Sequence, residues 1–480
     1  MTAPLPGPAA LLADAPRVRE ALQAAGWSAA VLDQRLGATA RTHLDRDELA
    51  PLLRRTSGGD PLDTLARLFV VGTGVELDDA EDAGVPETWL RPDGYLVTSP
   101  VRLQPVVHGG VEVQCAHDPG RAADGVHPDQ VLGVGAASLT LAAATPRDAV
   151  PRTLDLGAGC GIQALLAEDH SSTVVATDSN PRATALTVLS AALNGVEVDA
   201  RTGDLIDPVA DQRFDLVVSN PPFVIGPGAR YTYRDAGLDG DDVSRRLVQE
   251  LPSVLADRGT AVLLVNWLHV EGEDGDERVR SWFAGTGCDG WVVQRELAAP
   301  EDYVTAWLRD TDEGPRFDEL FEQWVGWFAE RRVEAVAFGV VALRAGGTER
   351  VALDVVDQPV AATWGEQVAQ RFAAMDLLGD SLLDRRLRLR DDVRLSSTSR
   401  PAQGEWLPVA QRLVQETGLR WSGGVDLYGA ALLAGCDGTR PLGSLVDVLA
   451  AATGLSTGEA VEQVLPVVER LVEQGFLVAG

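Results

Sequence analysis

A glycine-rich turn separates a predicted strand from a predicted helix near the middle of the chain. The segment LDLGAGCG places Asp155, Gly157, Gly159 and Gly161 at alternate positions. Glycine lets the backbone pass close beneath a ligand because no side chain obstructs the approach, and free N–H groups at the start of the next helix attract polar ligand atoms. The dinucleotide fingerprint also needs glycine at position 162, where isoleucine stands. The turn therefore indicates a ligand-binding loop of another kind.

Two further acidic residues follow the next two predicted strands. Asp178 closes the strand TVVATD, and Asp204 closes the strand VDARTGDL. Ligands of open α/β sheets bind at the carboxyl ends of the strands, so Asp155, Asp178 and Asp204 are expected at one edge. There the Asp178 carboxylate can accept hydrogen bonds from both ribose hydroxyls of a nucleoside. The Asp204 side chain can meet the edge of an adenine ring.

The tetrapeptide Asn220-Pro221-Pro222-Phe223 ends the fourth predicted strand, FDLVVSN. An amide or exocyclic amino nitrogen is a poor nucleophile because its lone pair is delocalised. The Asn220 side-chain oxygen and the Pro221 carbonyl oxygen supply two rigid acceptors for its N–H hydrogens, and Phe223 offers a flat face for stacking. We expect this corner to orient a planar nitrogen for attack on an electrophile, with positioning and preorganised polarity doing most of the catalysis.

Together these motifs, which cover residues 150–225, resemble the methyltransferase small-domain superfamily of class I methyltransferases. That group includes release-factor glutamine methyltransferases and ribosomal-RNA guanine amino-methyltransferases. The resemblance implies a Rossmann-like seven-stranded sheet, S-adenosylmethionine as the methyl donor and a planar nitrogen as the acceptor. By motif position it assigns cofactor binding to Asp155, Gly157, Gly159, Gly161, Asp178, Asp204 and Asn220, and catalysis to Asn220, Pro221 and Phe223.

The acceptor stays open between two classes of substrate. The Gly-Leu-Asp-Gly run after NPPF resembles the glutamine methyltransferases, and the net charge of −30 disfavours RNA phosphates. Phenylalanine rather than tyrosine at position 223 resembles the guanine enzymes. We expect the acceptor to be a glutamine side-chain amide of a translation protein of the release-factor type. The alternatives are a guanine or adenine amino group in ribosomal or other nucleic acid and, in another class, a non-catalytic S-adenosylmethionine-binding regulator.

Strands and helices alternate from Arg152 onward and predict the sheet that must position these residues. Seven strands separated by helices are typical of a doubly wound, mostly parallel α/β sheet over residues 126–345. Helical periodicity predicts a mainly helical N-terminal domain over residues 1–125, a candidate for substrate recognition. Residues 346–480 are expected to form an α+β domain, whose two helices and last strand suggest a winged-helix-like end.

Composition narrows the class of protein. The chain has 480 residues, of which 45% are hydrophobic and 23% charged, so it can bury a globular core. All 41 basic residues are arginine, and their densest cluster, residues 385–394, is interpreted as the solvent-facing positions of a strand rather than an RNA-binding patch. Scattered cysteines and histidines indicate neither disulfides nor a metal site. Without a membrane-length apolar run or a signal pattern, we expect a cytoplasmic protein with no membrane or metal partner.

Overall fold

The computed structural model describes residues 7–119, 129–222, 224–227, 241–311, 316–379 and 381–480. The chain folds into two compact units, one comprising the chain up to Ala142 with Ala149–Val351, the other comprising Ala143–Asp148 with Ala352–Gly480. Among the described residues, no helix combines the length and the apolar composition needed to cross a lipid bilayer.

Within the described ranges the first unit contains thirteen α-helices and twelve strands, counting the elements that cross its boundaries, and several short 3-10 or π turns. The helices are α1 Ala15–Ala24, α2 Ala29–Leu36, α3 Ala40–Asp45, α4 Leu49–Arg55, α5 Pro61–Ala66, α6 Leu77–Asp82, α7 Ala136–Ala144, α8 Ile162–Ala167, α9 Pro181–Asn194, α10 Asp242–Glu250, α11 Gly275–Ser281, α12 Pro300–Thr311 and α13 Phe317–Glu330. The strands are β1 Arg91–Asp93, β2 Leu96–Thr98, β3 Arg102–His108, β4 Val111–His117, β5 Val150–Leu156, β6 Ser171–Asp178, β7 Asp199–Thr202, β8 Phe214–Ser219, β9 Leu255–Val270, β10 Cys288–Ala298, β11 Val333–Ala345 and β12 Val351–Val355.

The central sheet is the predicted Rossmann-like α/β core. Its strand order is β12-β10-β11-β9-β8-β5-β6-β7. The strands from β7 to β9 in this order are parallel, whereas β11 runs antiparallel to both β9 and β10. The seven predicted strands are confirmed as β5–β11. The predicted count of seven is nevertheless wrong by one, because β12 lies at the edge after a Gly346-Gly347 break that marks the end of the regular pattern in the sequence.

The strands beneath the site are apolar because helices cover the sheet on both faces. The runs VVAT in β6, LVVS in β8 and AVLLV in β9 are buried throughout, as expected of central parallel strands. Helix α9, one of the covering helices, begins where the Asn180 side chain accepts a hydrogen bond from Arg182 N at 2.9 Å and ends at Gly195, whose φ is 72°. These local signals fix where α9 begins and ends, directly after β6 stops at Asp178.

The N-terminal segment shares a hydrophobic core with the helices of the sheet. Leu11, Phe69 and Trp89 belong to the same buried cluster as Leu186 of α9. The rings of Phe69 and Trp89 meet edge to face with centroids 5.9 Å apart, and Trp89 Nε1 donates to the Leu11 carbonyl oxygen at 3.0 Å. This segment contains helices α1 to α6 and also strands β1 to β4. A domain boundary after residue 125 stays a prediction.

The second unit combines helices with two small sheets. Its helices are α14 Glu366–Leu378, α15 Leu427–Ala434, α16 Leu442–Thr453 and α17 Thr457–Glu473, and its strands are β13 Arg386–Leu389, β14 Val393–Ala402, β15 Glu405–Gln415, β16 Ser422–Val425, β17 Asp437–Pro441 and β18 Leu477–Ala479. The sheets have the orders β17-β13-β18 and β14-β15-β16. The two predicted C-terminal helices and the terminal strand are observed as α16, α17 and β18. Winged-helix character stays a prediction, as does a boundary at residue 346.

Candidate active site

Left-handed backbone at three glycines shapes the loop between β5 and α8. Gly157, Gly159 and Gly161 have φ angles of 77°, 57° and 86°, which residues with a Cβ rarely adopt. A Cβ on Gly161 would lie 3.0 Å from Thr187 Cγ2, so this glycine permits close packing of α9. A Cβ on Gly159 would meet no atom within 4 Å, and one on Gly157 would meet only the Asn220 carbonyl oxygen, at 4.0 Å. The first two glycines therefore border open space, as a ligand cradle requires.

Asp178 lies at the end of β6 and holds the glycine loop. Its Oδ2 accepts a hydrogen bond from Gly159 N at 2.9 Å, and its Oδ1 accepts one from Asn180 N at 2.8 Å. Burial raises the pKa of Asp178 above its usual range, although these two hydrogen bonds lower it. Because the two oxygens of a carboxylate together offer about four lone-pair sites, Asp178 keeps acceptor capacity for a ligand.

Asp155, which is also one of the three predicted acidic residues, lies beneath the glycine loop. It is 1% exposed, and its Oδ2 accepts a hydrogen bond from Ala164 N in the first turn of α8 at 2.9 Å. Burial raises the pKa of the Asp155 carboxyl to about 7, against the lowering effect of the Ala164 hydrogen bond, and the charge of Asp178 raises it further. The side chain therefore anchors α8 behind the cradle, and direct cofactor binding by Asp155 stays a prediction.

The raised pKa of Asp155 makes stability depend on pH. A carboxyl that holds its proton more tightly in the folded chain stabilises it fully below the unfolded pKa of about 3.9, and this contribution is lost as pH rises through the folded pKa of about 7. We expect the free energy of unfolding of wild type to fall relative to that of Asp155→Asn over this range, because the amide cannot ionise. Urea unfolding of both proteins across the range measures this difference, and parallel pH curves would contradict it.

The Asp204 side chain contacts helix α10 rather than the glycine loop. Asp204 follows β7 by two residues, its side chain is 63% exposed, and its Oδ2 is 3.7 Å from Arg246 Nη2 on α10. An exposed ion pair of this kind contributes little to stability. The predicted strand VDARTGDL, which Asp204 was expected to close, is longer than the observed β7, because the strand ends at Thr202. A contact of Asp204 with adenine stays a prediction.

The Asn-Pro-Pro corner lies beside the glycine loop because β8 is the strand next to β5. Leu156 and Ser219 are paired in register across these strands, and the Ser219 hydroxyl donates to the Leu156 carbonyl oxygen at 2.8 Å. Asn220 and the buried Pro221 follow directly, at the same edge of the sheet. Phe223, the predicted stacking residue, lies outside the described residues.

The Asn220 side chain has an unsatisfied acceptor. Its Nδ2 donates a long hydrogen bond to Ser138 Oγ of α7, at 3.4 Å, whereas its Oδ1 is buried and accepts no hydrogen bond from the described part of the chain. A buried acceptor without a donor costs free energy. The Asn220 side-chain oxygen therefore lacks a donor among the described residues, and its use as an acceptor for the substrate nitrogen stays a prediction.

Helices α12 and α13 supply one residue each, Tyr303 and Trp324, that sequence analysis missed. The Tyr303 hydroxyl oxygen accepts hydrogen bonds from Ile225 N at 2.8 Å and from Asn266 Nδ2 of β9 at 3.1 Å, so it holds the chain just after the corner. A Cβ on Gly226 would lie 2.7 Å from the ring of Trp324, to which no role is assigned from sequence. These contacts join residues that are far apart in the chain, and no local sequence signal announces them.

Three regions of the chain match known families. Residues 122–269 match the family described as methyltransferase small domain. Residues 24–91 and 372–479 match two domains of unknown function, DUF7059 and DUF7782.

Curated relatives are similar to a part of the chain only. It is 35% identical to a release factor glutamine methyltransferase of Geobacter sulfurreducens over 162 residues, which are 31% of this chain and 55% of the relative. It is 35% identical to a ribosomal protein uL3 glutamine methyltransferase of Bradyrhizobium diazoefficiens over 23% of this chain and 39% of the relative. It is 30% identical to a ribosomal RNA small subunit methyltransferase C of Alcanivorax borkumensis over 24% of this chain and 32% of the relative.

The chain thus spans less than two thirds of the length of each of these three relatives. The family match lies over the glycine loop, the three acidic residues and the Asn-Pro-Pro-Phe motif. Together these similarities confirm the resemblance of this region to the methyltransferase small-domain superfamily.

Proposed function

We propose that the protein is an S-adenosylmethionine-dependent N-methyltransferase whose acceptor is the side-chain amide of a glutamine in a translation protein. The buried Asn220 Oδ1, which accepts no hydrogen bond from the described residues, carries this proposal. It lies where β8 ends, next to a glycine loop that borders open space. An amide –NH₂ group is a planar double donor and satisfies such an acceptor.

The residues of the cradle fit S-adenosylmethionine. Gly157 and Gly159 would let its polar groups approach the main chain, Asp178 would accept the ribose hydroxyls, and Asp204 would meet the adenine. Asp155 would support them from beneath through α8. When bound, S-adenosylmethionine supplies a methyl group activated by a positively charged sulfur.

The corner activates the acceptor by orientation rather than by a strong base. Asn220 Oδ1 and the Pro221 carbonyl oxygen accept the two N–H hydrogens of the amide, so the face of the nitrogen turns toward the methyl donor. The two acceptor oxygens also stabilise the partial positive charge that develops on these hydrogens during transfer. The nitrogen becomes acidic only as it is alkylated, so its proton leaves afterwards and no general base is needed before transfer.

The relatives favour a protein acceptor over RNA. Two of those described are named as glutamine methyltransferases and one as a ribosomal RNA methyltransferase. The net charge of −30 adds to this preference because RNA phosphates are repelled over long range. The amino group of a ribosomal RNA guanine is the second candidate, since the same corner orients it equally well. A cytoplasmic location follows from either substrate and is part of the proposal.

Transfer of label into a cell lysate tests the acceptor class. The purified protein is incubated with S-adenosylmethionine labelled in its methyl group and a lysate, and the product is treated with protease or ribonuclease. We expect protease, and not ribonuclease, to release the label, and acid hydrolysis of the product to yield labelled methylamine, because acid cleaves the methylated side-chain amide to glutamic acid and the amine. Release of the label by ribonuclease alone would contradict the proposal of a protein acceptor. Absence of both methyl transfer and donor binding would contradict the proposal that the protein is a methyltransferase.

The Tyr303 hydroxyl is expected to support turnover without contacting either substrate. Tyr303→Phe removes the acceptor for Ile225 N, and one hydrogen bond is worth about 0.5–1.5 kcal/mol. We expect kcat to fall by a factor of about two to ten, with donor affinity within a factor of about two. Initial rates and calorimetry measure the two effects. Tyr428→Phe in α15, a half-exposed tyrosine, is the control, and equal kcat values for both variants would contradict a positioning role.

A further inference from the structure

We propose that Cys115 and Cys160 form a redox switch, in which hydrogen peroxide joins the two thiols in a disulfide and thereby weakens donor binding at the glycine loop. Cys115 lies in β4, and Cys160 lies inside the glycine loop between Gly159 and Gly161. The inference rests on the proposed function in one respect, namely that this loop binds the methyl donor. Disulfide formation itself can be measured whether or not the donor binds.

Helix α9 brings β4 and the glycine loop together. The Thr187 hydroxyl donates to the Gly159 carbonyl oxygen at 3.1 Å, and the Ser190 hydroxyl oxygen accepts a hydrogen bond from Ala116 N at 2.9 Å. Residues three apart on a helix lie on the same face, about 4.5 Å apart along its axis. The residue before one cysteine and the residue after the other therefore contact neighbouring turns of the same helix.

The two thiols meet in the core beneath the loop. Cys115 is 0% exposed and Cys160 4%, and both belong to one buried cluster. The Cys115 thiol donates a hydrogen bond to the Cys160 sulfur. This contact raises the pKa of Cys115 well above its ordinary value and lowers the pKa of Cys160, although burial opposes the second shift. The sulfurs of Cys288 and Cys436 donate instead to backbone carbonyl oxygens, at 3.6 Å and 3.5 Å.

Hydrogen peroxide is the oxidant that fits this burial. A protein thiol or a large disulfide would have to reach sulfur atoms that are almost fully buried. Peroxide is far smaller, and a Cβ on the neighbouring Gly159 would meet no atom within 4 Å, so the loop borders open space next to Cys160. A small oxidant therefore approaches Cys160 from the cradle side of the loop.

The lower pKa of Cys160 makes its thiol the first to react. The thiolate attacks one peroxide oxygen, so an S–O bond forms, the O–O bond breaks, and the departing hydroxide leaves as water with the proton of the thiol. The Cys115 sulfur then attacks the sulfur of the resulting sulfenic acid. The S–S bond forms, the S–O bond breaks, and a second water leaves with the Cys115 proton. The pair of thiols is oxidised by two electrons, and peroxide is reduced to water.

Strand β4 is fixed at the position of Cys115. Gln114 N donates to Asn194 Oδ1 of α9 at 2.9 Å, and on the other side Ala116 N donates to Ser190 Oγ at 2.9 Å. The strand is also paired with β3 in an antiparallel hairpin. The Cys115 sulfur is therefore the stationary partner when the S–S bond forms.

The glycine loop is the part that has to move. A disulfide brings its sulfurs to about 2.05 Å, much closer than two hydrogen-bonded thiols. Cys160 is flanked by Gly159 and Gly161, whose backbones change conformation at low steric cost. The displacement therefore falls on Gly159, whose N–H group donates to Asp178 Oδ2. Because Asp178 would also accept the ribose hydroxyls, the disulfide disturbs the donor-binding arrangement.

Oxidation of the full chain with an equimolar amount of hydrogen peroxide tests the inference. Free thiols are counted in denaturant, and trypsin, which cuts at Arg147 and Arg152 between the two cysteines, yields peptides for mass spectrometry. We expect the count to fall from four to two, with one crosslink joining Cys115 to Cys160. The Kd for S-adenosylhomocysteine, measured by calorimetry, should rise about tenfold, and dithiothreitol should reverse both changes.

Two serine variants show which cysteines are responsible. Cys115→Ser lies outside the loop and cannot form the crosslink, so its Kd after peroxide treatment should stay within about twofold of its own reduced value. Cys288→Ser removes a buried cysteine outside the pair and should lose two thiols and donor affinity as wild type does. Thermal unfolding checks that both variants fold, and the comparison of reduced with oxidised wild type needs neither of them.

The outcomes separate this inference from the proposed function. A thiol count that stays at four, a crosslink between other cysteines, or an unchanged Kd in the crosslinked chain would overturn the switch alone. An equal loss of donor affinity in Cys115→Ser would do the same, because no disulfide of the pair can form there. If the reduced wild type binds no donor, the proposed function fails and the switch fails with it.

Discussion

Asn220→Ala is expected to reduce methyl transfer by a factor of about 10² to 10³, the usual consequence of removing one preorganised polar group from a catalytic site. The amide oxygen is the buried acceptor that no described residue satisfies, so in the proposed mechanism it would accept the N–H group of the substrate only when substrate is bound. Alanine leaves the Pro221 carbonyl oxygen as the remaining acceptor. The nitrogen is then free to rotate out of line with the methyl donor, and the loss falls on kcat.

Donor binding separates this effect from collapse of the site. The glycine loop is held by Asp178 and by the carbonyl oxygen of Thr177 rather than by the Asn220 side chain. We therefore expect the affinity for S-adenosylhomocysteine, measured by calorimetry, to stay within about threefold of wild type. Asn194→Ala, at the end of α9, serves as the matched asparagine control. Wild-type turnover by Asn220→Ala would exclude the assigned role, and loss of donor binding would point to a structural one.

The parts of the site that follow from local sequence could be predicted. Left-handed φ values at Gly157, Gly159 and Gly161 agree with the expectation that these positions need glycine. Asp178 and Asn220 directly end or follow apolar strands, and parallel strands bring their carboxyl ends to one edge. Strand ends, turns and helix starts are set by neighbouring residues, so a single sequence carries them.

The parts that depend on tertiary contacts could not be predicted. Tyr303 lies 78 residues from Ile225, whose N–H group it accepts, and hydrophobic periodicity contains no information about that pairing. The same holds for Ser138 beside Asn220. Asp155 was placed correctly at a strand end, but its use as an anchor for Ala164 depends on how α8 turns back over β5.

Asp178→Asn is expected to weaken donor binding about tenfold to 150-fold, because a hydrogen bond to a charged group is worth about 1.5–3 kcal/mol. The carboxylate has two tasks that an amide cannot perform together. It accepts from Gly159 N and Asn180 N, one with each oxygen, and it would accept ribose hydroxyls with its remaining lone pairs. In the variant, one of these positions becomes an NH₂ group that cannot accept, so the loop loses an anchor and the ribose loses a partner.

The division between binding and turnover identifies the role of Asp178. Asp178 lies on β6, and the acceptor corner follows β8, so at saturating donor concentration kcat should remain within about threefold of wild type while the Kd for S-adenosylhomocysteine rises. Asp199→Asn, which alters an exposed aspartate paired with Arg201 at 2.6 Å at the start of β7, is the matched control and should bind as wild type does. An unchanged Kd in Asp178→Asn would remove the ribose assignment, because no other described acidic side chain contacts the glycine loop at Gly159. A fall in kcat alone would instead place Asp178 in the acceptor half of the site, which its hydrogen bonds do not support.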